Sequence, residues 1–295
     1  MNISDIQSIS VVGAGQMGHQ IAMLSALGGF ETTLQDVDAQ VLKKAEGTLH
    51  ALMDKWEQKG KLSKRERDAA FNRLSFTTNL QKASANADFV VEAVVEKLEI
   101  KQEVFAKLDK WTPPHTILAT NSSTIVNSLL SSVTSRPEKV VNMHFFFPPL
   151  VMDCVEVVMS ETTSEETAQL TMAVCEKMNR TGILLKKEIS GFVANRILGA
   201  LQREAVSLYE EGIADFKDID TICRQALSHP LGPFQIMDLS GIDVGYYVMK
   251  QRYKETGDPA DQPFASIVEK VQRGDLGRKT GKGWYEYKQT AMREK

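Results

Sequence analysis

An open, largely parallel α/β sheet followed by an all-helical region is the fold class that this sequence predicts, on three observations. Apolar strand-like runs alternate with amphipathic helical stretches from residue 7 to about residue 185, the pattern of strands joined by helical crossovers. A glycine-rich turn, "GAGQMG", separates the first strand from the first helix, where doubly wound sheets carry one. From "ISGFVANRILGALQREAVSLYEEG" onward strand signals nearly vanish, and amphipathic helices dominate up to the closing "GWYEYK". That change sets a boundary near residue 187, with domains expected at 1–187 and 188–295.

The elements follow in order. "QSISVV" at residues 7–12 reads as a short buried strand, and "HQIAMLSALGGF" after the glycine turn has apolar residues at helical spacing. "ETTLQD" is a second strand. Residues 38–60 are helical in pattern and rich in Lys and Glu, and "KGKLSKRERDAAFNRL" is a second, basic helix. "LSFTTNL" and "ADFVVEAVV" are strands, the latter followed by the long amphipathic helix "EKLEIKQEVFAKLDKW". "PPHTILATNSS" places a strand after a double proline, and "EKVVNMHFFFPP" and "MDCVEVVMS" supply two more.

Composition excludes several classes. The 295 residues are 42% hydrophobic and 25% charged, as in ordinary globular proteins, and the formal net charge of −3 gives no sign of nucleic-acid binding. Cys154, Cys175 and Cys223 are widely spaced, with no CxxC pair or Cys/His cluster. Reduced, buried thiols are therefore expected, and no metal site. The amino terminus, "MNISDIQSISVVGAG", has neither the basic and apolar regions of a secretory signal nor an Arg-rich amphipathic presequence. No apolar run approaches the about 18 residues of a membrane span. The expectation is a soluble cytoplasmic protein.

"GAGQMG" is G-x-G-x-x-G, with Gly13, Gly15 and Gly18 around Gln16 and Met17. Such glycines permit a tight turn, backbone approach to a pyrophosphate and close helix–strand packing. The helix amino terminus adds free N–H groups and partial positive charge. Asp36 closes the second strand, where a carboxylate accepts hydrogen bonds from the adenosine ribose hydroxyls and repels a 2′-phosphate. The reading is a Rossmann-type dinucleotide-binding domain, with NAD favoured over NADP.

His144 ends the "KVVNM" strand, and Glu156 lies in "DCVEVV" beyond the double proline. If the flanking strands lie side by side, the two face each other. A carboxylate there fixes the imidazole tautomer and stabilises the imidazolium, as a general base requires. Phe145 and Phe146 would exclude water from the pair. The competing reading is a satisfied polar pair at a strand end. In "ATNSSTIV" three of Asn121, Ser122, Ser123 and Thr124 are expected to cap the next helix, or one to hold a substrate oxygen. Asn195, in "SGFVANRI", can donate to a carbonyl oxygen. Glu96 and Lys101, just past the "ADFVVEAVV" strand, fit a solvated helix face as well as a ligand contact.

With these residues in place, the chain resembles the short-chain L-3-hydroxyacyl-CoA dehydrogenases, closest to the bacterial 3-hydroxybutyryl-CoA type. The landmarks run over nearly its whole length: "VVGAGQMG", "VVEAVVEKLEIKQEVFAKLD", "ATNSST", "MHFFFPPLVMDCVEVV", "SGFVANRI", "HPLGPFQIMDLSGID" and "GRKTGKGWYEY". The resemblance implies NAD-linked interconversion of an L-3-hydroxyacyl-CoA and a 3-oxoacyl-CoA. It implies His144 as general base, Glu156 as its orienting carboxylate, Ser123 on the substrate oxygen and Asn195 on the reacting carbonyl. Glu96, Lys101 and Lys279 match family cofactor contacts. Lys59, in a basic helix-pair region, is the candidate contact to the anionic end of CoA. The helical domain of the family carries a homodimer interface, and its substrate cleft lies between the domains.

Two departures stand out. The family usually reads H-F-F-N-P, with the asparagine near the nicotinamide, where this chain has Phe147. It usually reads N-T-S-S where this chain has "NSST". Phe147 is the single feature that favours the alternative of a catalytically impaired paralogue binding NAD or acyl-CoA. Dehydrogenases of the 6-phosphogluconate type use a lysine base at the head of the helical domain, and "SGFVANRI" has no lysine.

Overall fold

The computed structural model describes residues 1–287. The chain divides into two compact units, Met1–Phe192 and Val193 onward, a little beyond the position read from the sequence. The first unit holds eight strands: β1 (Ser8–Val12), β2 (Glu31–Gln35), β3 (Leu74–Thr77), β4 (Phe89–Glu92), β5 (Ile117–Thr120), β6 (Val140–Phe145), β7 (Cys154–Val158) and β8 (Thr181–Leu185). They form one sheet in the order β3-β2-β1-β4-β5-β6-β7-β8. All neighbours run parallel except β6 and β7. The first six strands have the order of two mononucleotide-binding halves meeting between β1 and β4.

Central parallel strands are covered on both faces and so carry near-continuous apolar runs. All four residues of β4 and of β5, and all six of β6, are buried. The helix Gly18–Leu27 is buried along nearly its whole length, which is why its composition lacks a polar face. The helix Ala39–Gln58 buries only Leu42, Ala45, Leu49 and Met53, a single stripe at helical spacing. Asp38 caps it by accepting from the Gln40 N–H at 2.8 Å. The basic helix Lys64–Arg73 starts in a capping box between Ser63 and Glu66. Sequence patterning did not separate the helix Glu165–Lys177 from β8. β8 is an exposed edge strand interrupted by Gly182, where a Cβ would lie 2.9 Å from the Met172 sulfur.

Each glycine of the turn after β1 answers a different constraint. Gly13 has φ +100°, and a Cβ there would sit 2.6 Å from the Ala93 carbonyl oxygen in the loop after β4. A Cβ on Gly18 would lie 1.7 Å from the Gly13 carbonyl oxygen. Around Gly15 a Cβ meets nothing within 4 Å. The outer two are demanded by the chain's own packing; the middle one is not.

The second unit is helical, with helices Ala194–Glu210, Phe216–Gln225, Pro233–Ser240, Ile242–Thr256 and Ala265–Arg273. Phe234 and Trp284 stack edge-on in its core, ring centroids 4.5 Å apart. Two buried carboxylates hold its "GWYEY" segment. Asp238 accepts from the Trp284 and Tyr285 N–H groups and the Tyr287 hydroxyl, at 2.8, 2.9 and 2.9 Å. Asp220 accepts from the Tyr285 hydroxyl at 2.8 Å and from the Phe234 and Gln235 N–H groups. Burial pushes the Asp220 carboxyl above the usual range despite those donors.

The contrast between the glycines is measurable by thermal denaturation. Gly18→Ala is expected to destabilise by about 3 kcal/mol, since the added methyl displaces backbone. Gly15→Ala is expected to remain within about 1 kcal/mol of the parent.

Candidate active site

The turn after β1 lies where the strand order reverses, at the carboxyl end of the sheet, the place where open α/β sheets take ligands. Among the described residues, no acceptor takes the backbone N–H of Gly15, Gln16 or Met17. Those donors, the helix that begins at Gly18 and the open space over Gly15 together fit a diphosphate. Asp36 follows β2 directly. Its Oδ2 accepts from the Ala14 N–H at 2.8 Å and its Oδ1 from the Asp38 N–H at 3.0 Å. The carboxylate thus braces the turn and still has lone pairs to offer ribose hydroxyls. The buried His19 sits beneath, its Nδ1 against the Gly15 carbonyl. Burial lowers its pKa, against the raising effect of that carbonyl.

Lys101 does not lie on a solvated helix face, and Glu96, exposed, stands just before the helix Leu98–Trp111. Lys101 is 1% exposed and its ammonium is 2.8 Å from Glu92 Oε1 and 3.3 Å from Glu96 Oε2. Glu92, buried at the end of β4, also accepts from the Val94 N–H and the Thr120 hydroxyl. It went unnoticed in the sequence because a carboxylate closing "FVVE" reads as the solvent end of a strand. Glu96 accepts from the hydroxyls of Ser122 and Thr124. Burial works against its charge, but Lys101 and the two hydroxyls prevail and hold its carboxyl below the usual range.

The "NSST" residues do not cap the helix that follows. That helix spans Asn127–Ser131 with Val126 at its N-cap, beyond their reach. Asn121 Oδ1 accepts from the Phe145 N–H at 3.0 Å, and Asn142 donates to the Ser122 and Ile125 carbonyls at 3.3 Å each. The loop is thereby stitched to β6 and to Glu96 on either side of Ser123. The Ser123 hydroxyl has no hydrogen bond among the described residues, and the residue is half-buried. Asn142 was legible only as an amide inside an apolar run, "VVNMH", which a central strand tolerates when the amide has acceptors.

β6 and β7 pair antiparallel with His144 directly opposite Glu156. His144 Nδ1 lies 2.8 Å from Glu156 Oε2, and both side chains are nearly inaccessible. A carboxylate accepts and never donates when ionised, so Nδ1 carries the proton, which in a neutral imidazole leaves the lone pair on Nε2. The Phe146 ring meets the imidazole edge-on at 4.8 Å, and Phe192 tilts against it at 5.4 Å. Phe145 does not cover the pair, because side chains alternate across a strand and it points into the core on the opposite face. Phe192 takes its place, with φ +47°, a conformation costly for an aromatic residue. Phe147 is 59% exposed.

Asn195 and Lys279 belong to the second unit. Asn195 is exposed in the first turn of the helix Ala194–Glu210. The Lys279 ammonium pairs with Asp243, 2.6 Å from Oδ1. Lys59, exposed, closes the helix Ala39–Gln58 just before the basic helix.

Comparison with known proteins agrees with this geometry. The family described as 3-hydroxyacyl-CoA dehydrogenase, NAD binding domain, matches residues 8–189, and the C-terminal domain of the same family matches residues 191–287. A probable 3-hydroxybutyryl-CoA dehydrogenase of Bacillus subtilis is 37% identical over 285 residues, 97% of this chain and 99% of its own length. The mitochondrial hydroxyacyl-coenzyme A dehydrogenase of Mus musculus is 32% identical, over 96% of this chain and 92% of its own. Among solved structures, the (S)-3-hydroxybutyryl-CoA dehydrogenase PaaH1 of Ralstonia eutropha matches with a TM-score of 0.89 at 33% identity, covering 96% of this chain and 99% of that one. This chain belongs to the 3-hydroxyacyl-CoA dehydrogenase family.

Proposed function

We propose that the protein interconverts an L-3-hydroxyacyl-CoA and the corresponding 3-oxoacyl-CoA with NAD, the pair 3-hydroxybutyryl-CoA and acetoacetyl-CoA foremost. The observation that carries this reading is the buried His144–Glu156 pair, with Nδ1 held at 2.8 Å and Nε2 without a partner among the described residues. Bound NAD supplies the hydride acceptor. In oxidation, Nε2 takes the proton of the 3-hydroxyl as the C3 hydrogen departs with its electron pair, leaving the carbonyl. Glu156 stabilises the imidazolium that forms, in surroundings where water screens little. In reduction the imidazolium returns the proton to the oxygen.

Ser123 and Asn195 are the proposed partners of the substrate oxygen, Ser123 supported by its free hydroxyl on a pinned loop. For the cofactor, Gly13, Gly15, Gln16, Met17 and Gly18 form the diphosphate cradle and Asp36 takes the adenosine ribose. Glu96 and Lys101 act by ordering the strand-end loops beside it, and Lys279 is a candidate contact. Lys59 is proposed to meet the anionic end of CoA. The second unit exposes Ile197, Ile222, Leu239, Val244, Tyr247 and Val248, each more than half accessible. So much apolar surface supports a homodimer through this unit. No described helix is long and apolar enough to cross a membrane, and the reading includes a cytoplasmic location.

Turnover of acetoacetyl-CoA, followed by NADH absorbance, tests the activity. His144→Gln is expected to lower kcat by about a thousandfold while NADH affinity, measured by fluorescence titration, stays within about twofold. Near-parental turnover in that variant would remove His144 as the base. Asp36→Ser is expected to narrow the preference for NADH over NADPH by about tenfold, read as the ratio of kcat/KM values. Light scattering is expected to give twice the chain mass, and Val248→Asp to shift the population towards monomer.

A further inference from the structure

Gln20 is a polar side chain in the first turn of the buried helix Gly18–Leu27, and it is only 6% exposed. It faces two backbone groups that lie far apart in sequence. Its Nε2 donates to the Gln16 carbonyl in the glycine turn at 3.3 Å, and its Oε1 accepts from the Leu150 N–H at 3.3 Å. Leu150 stands in the β6–β7 connection, six positions beyond His144. No other hydrogen bond takes its N–H among the described residues.

The same connection is gripped from its other side by Arg180, itself 9% exposed. Its Nε donates to the Pro149 carbonyl at 3.1 Å and its Nη2 to the Leu150 carbonyl at 3.0 Å. The Val151 and Met152 N–H groups close a turn on the Pro148 carbonyl. The Leu150 side chain is buried in the main core, whereas Phe147, Val151 and Met152 of the same connection are exposed.

We propose that Gln20 is a positioning residue, an amide strut that joins the diphosphate turn to the connection following the catalytic histidine, so that filling the turn tightens that connection. The proposal rests on the dehydrogenase reading for its ligand, whereas the strut itself exists without ligand. An amide suits the task because it donates at one end and accepts at the other. A carboxylate can keep only the Leu150 half, and a thioether neither.

Amide hydrogen exchange on the full-length protein, with and without NADH, tests this. In ligand-free Gln20→Met, exchange at Leu150 is expected to rise by about threefold to tenfold over the parent, because its acceptor is gone. Gln20→Glu is expected to keep parental exchange there in the ligand-free state. In the parent, NADH is expected to slow exchange both at residues 13–18 and at residues 150–152. In both variants the first effect should persist and the second disappear, with kcat reduced more than KM for the acyl substrate is raised. Unchanged Leu150 exchange in ligand-free Gln20→Met overturns the strut. NADH-dependent protection at 150–152 that survives in both variants overturns the coupling. Failure of the parent to bind NADH refutes the dehydrogenase reading and leaves the ligand-free comparison to decide the strut.

Discussion

A carboxylate buried against an imidazole is the constraint on which the rest of the site depends. Glu156 and His144 face each other only because β6 and β7 run antiparallel in that register. A slip of β7 by one residue would turn Glu156 to the face opposite His144. That is why the one antiparallel pairing in the sheet falls here. A parallel strand needs a long crossover, whereas a short connection returns the chain at once and sets the carboxylate across from the imidazole. The register is secured on both sides by apolar neighbours, Met143, Phe145, Val155 and Val157, all in the main core.

A second cluster of charge obeys the same rule that buried ions be paired. Lys101 stands between Glu92 and Glu96, and each carboxylate has further donors. The cluster does not add chemistry of its own. It converts the ends of β4 and β5 into a fixed frame, with Glu96 holding the residues on both sides of Ser123. Removing Lys101 or Glu92 would leave its buried partner's charge uncompensated, a loss of several kcal/mol, whereas Glu96 is partly exposed. Rigidity in the loop that carries Ser123 therefore originates in an ion cluster behind it, and rigidity of His144 in Glu156.

Much of this was legible in the sequence where local pattern and chemistry coincide. Gly13 and Gly18 announce a tight turn because backbone crowding admits nothing else, and the change at the "SGFVANRI" stretch announces a new unit. The His144–Glu156 pair was readable only on condition that the flanking strands lie side by side, which two prolines between them permit. What was not legible depends on which face of an element a residue takes. Phe145 and Phe146 look interchangeable in "HFFFPP", yet the strand's alternation sends one to the core and one to the imidazole. Phe192, distant in sequence, completes the cover. Lys101 looks like a solvent residue because lysine is one, until Glu92 beneath it is placed. The Ser122 and Thr124 hydroxyls look like caps, but their partner is Glu96, which only the folded chain brings near.

Phe147 takes a position where the resemblance leads one to expect an asparagine. An amide there would give the connection after β6 a polar hold of its own; a phenyl ring gives none. In this chain the backbone of that connection is held from elsewhere, by Arg180 on two carbonyls and by Gln20 on one N–H. The side chain at residue 147 takes no part in that hold. Its ring lies 59% exposed with both neighbouring segments anchored, free to meet a ligand through apolar contact alone. The three phenylalanines after the histidine thus separate into a core residue, a cover for the imidazole and an outward ring, and only the last departs from the family pattern.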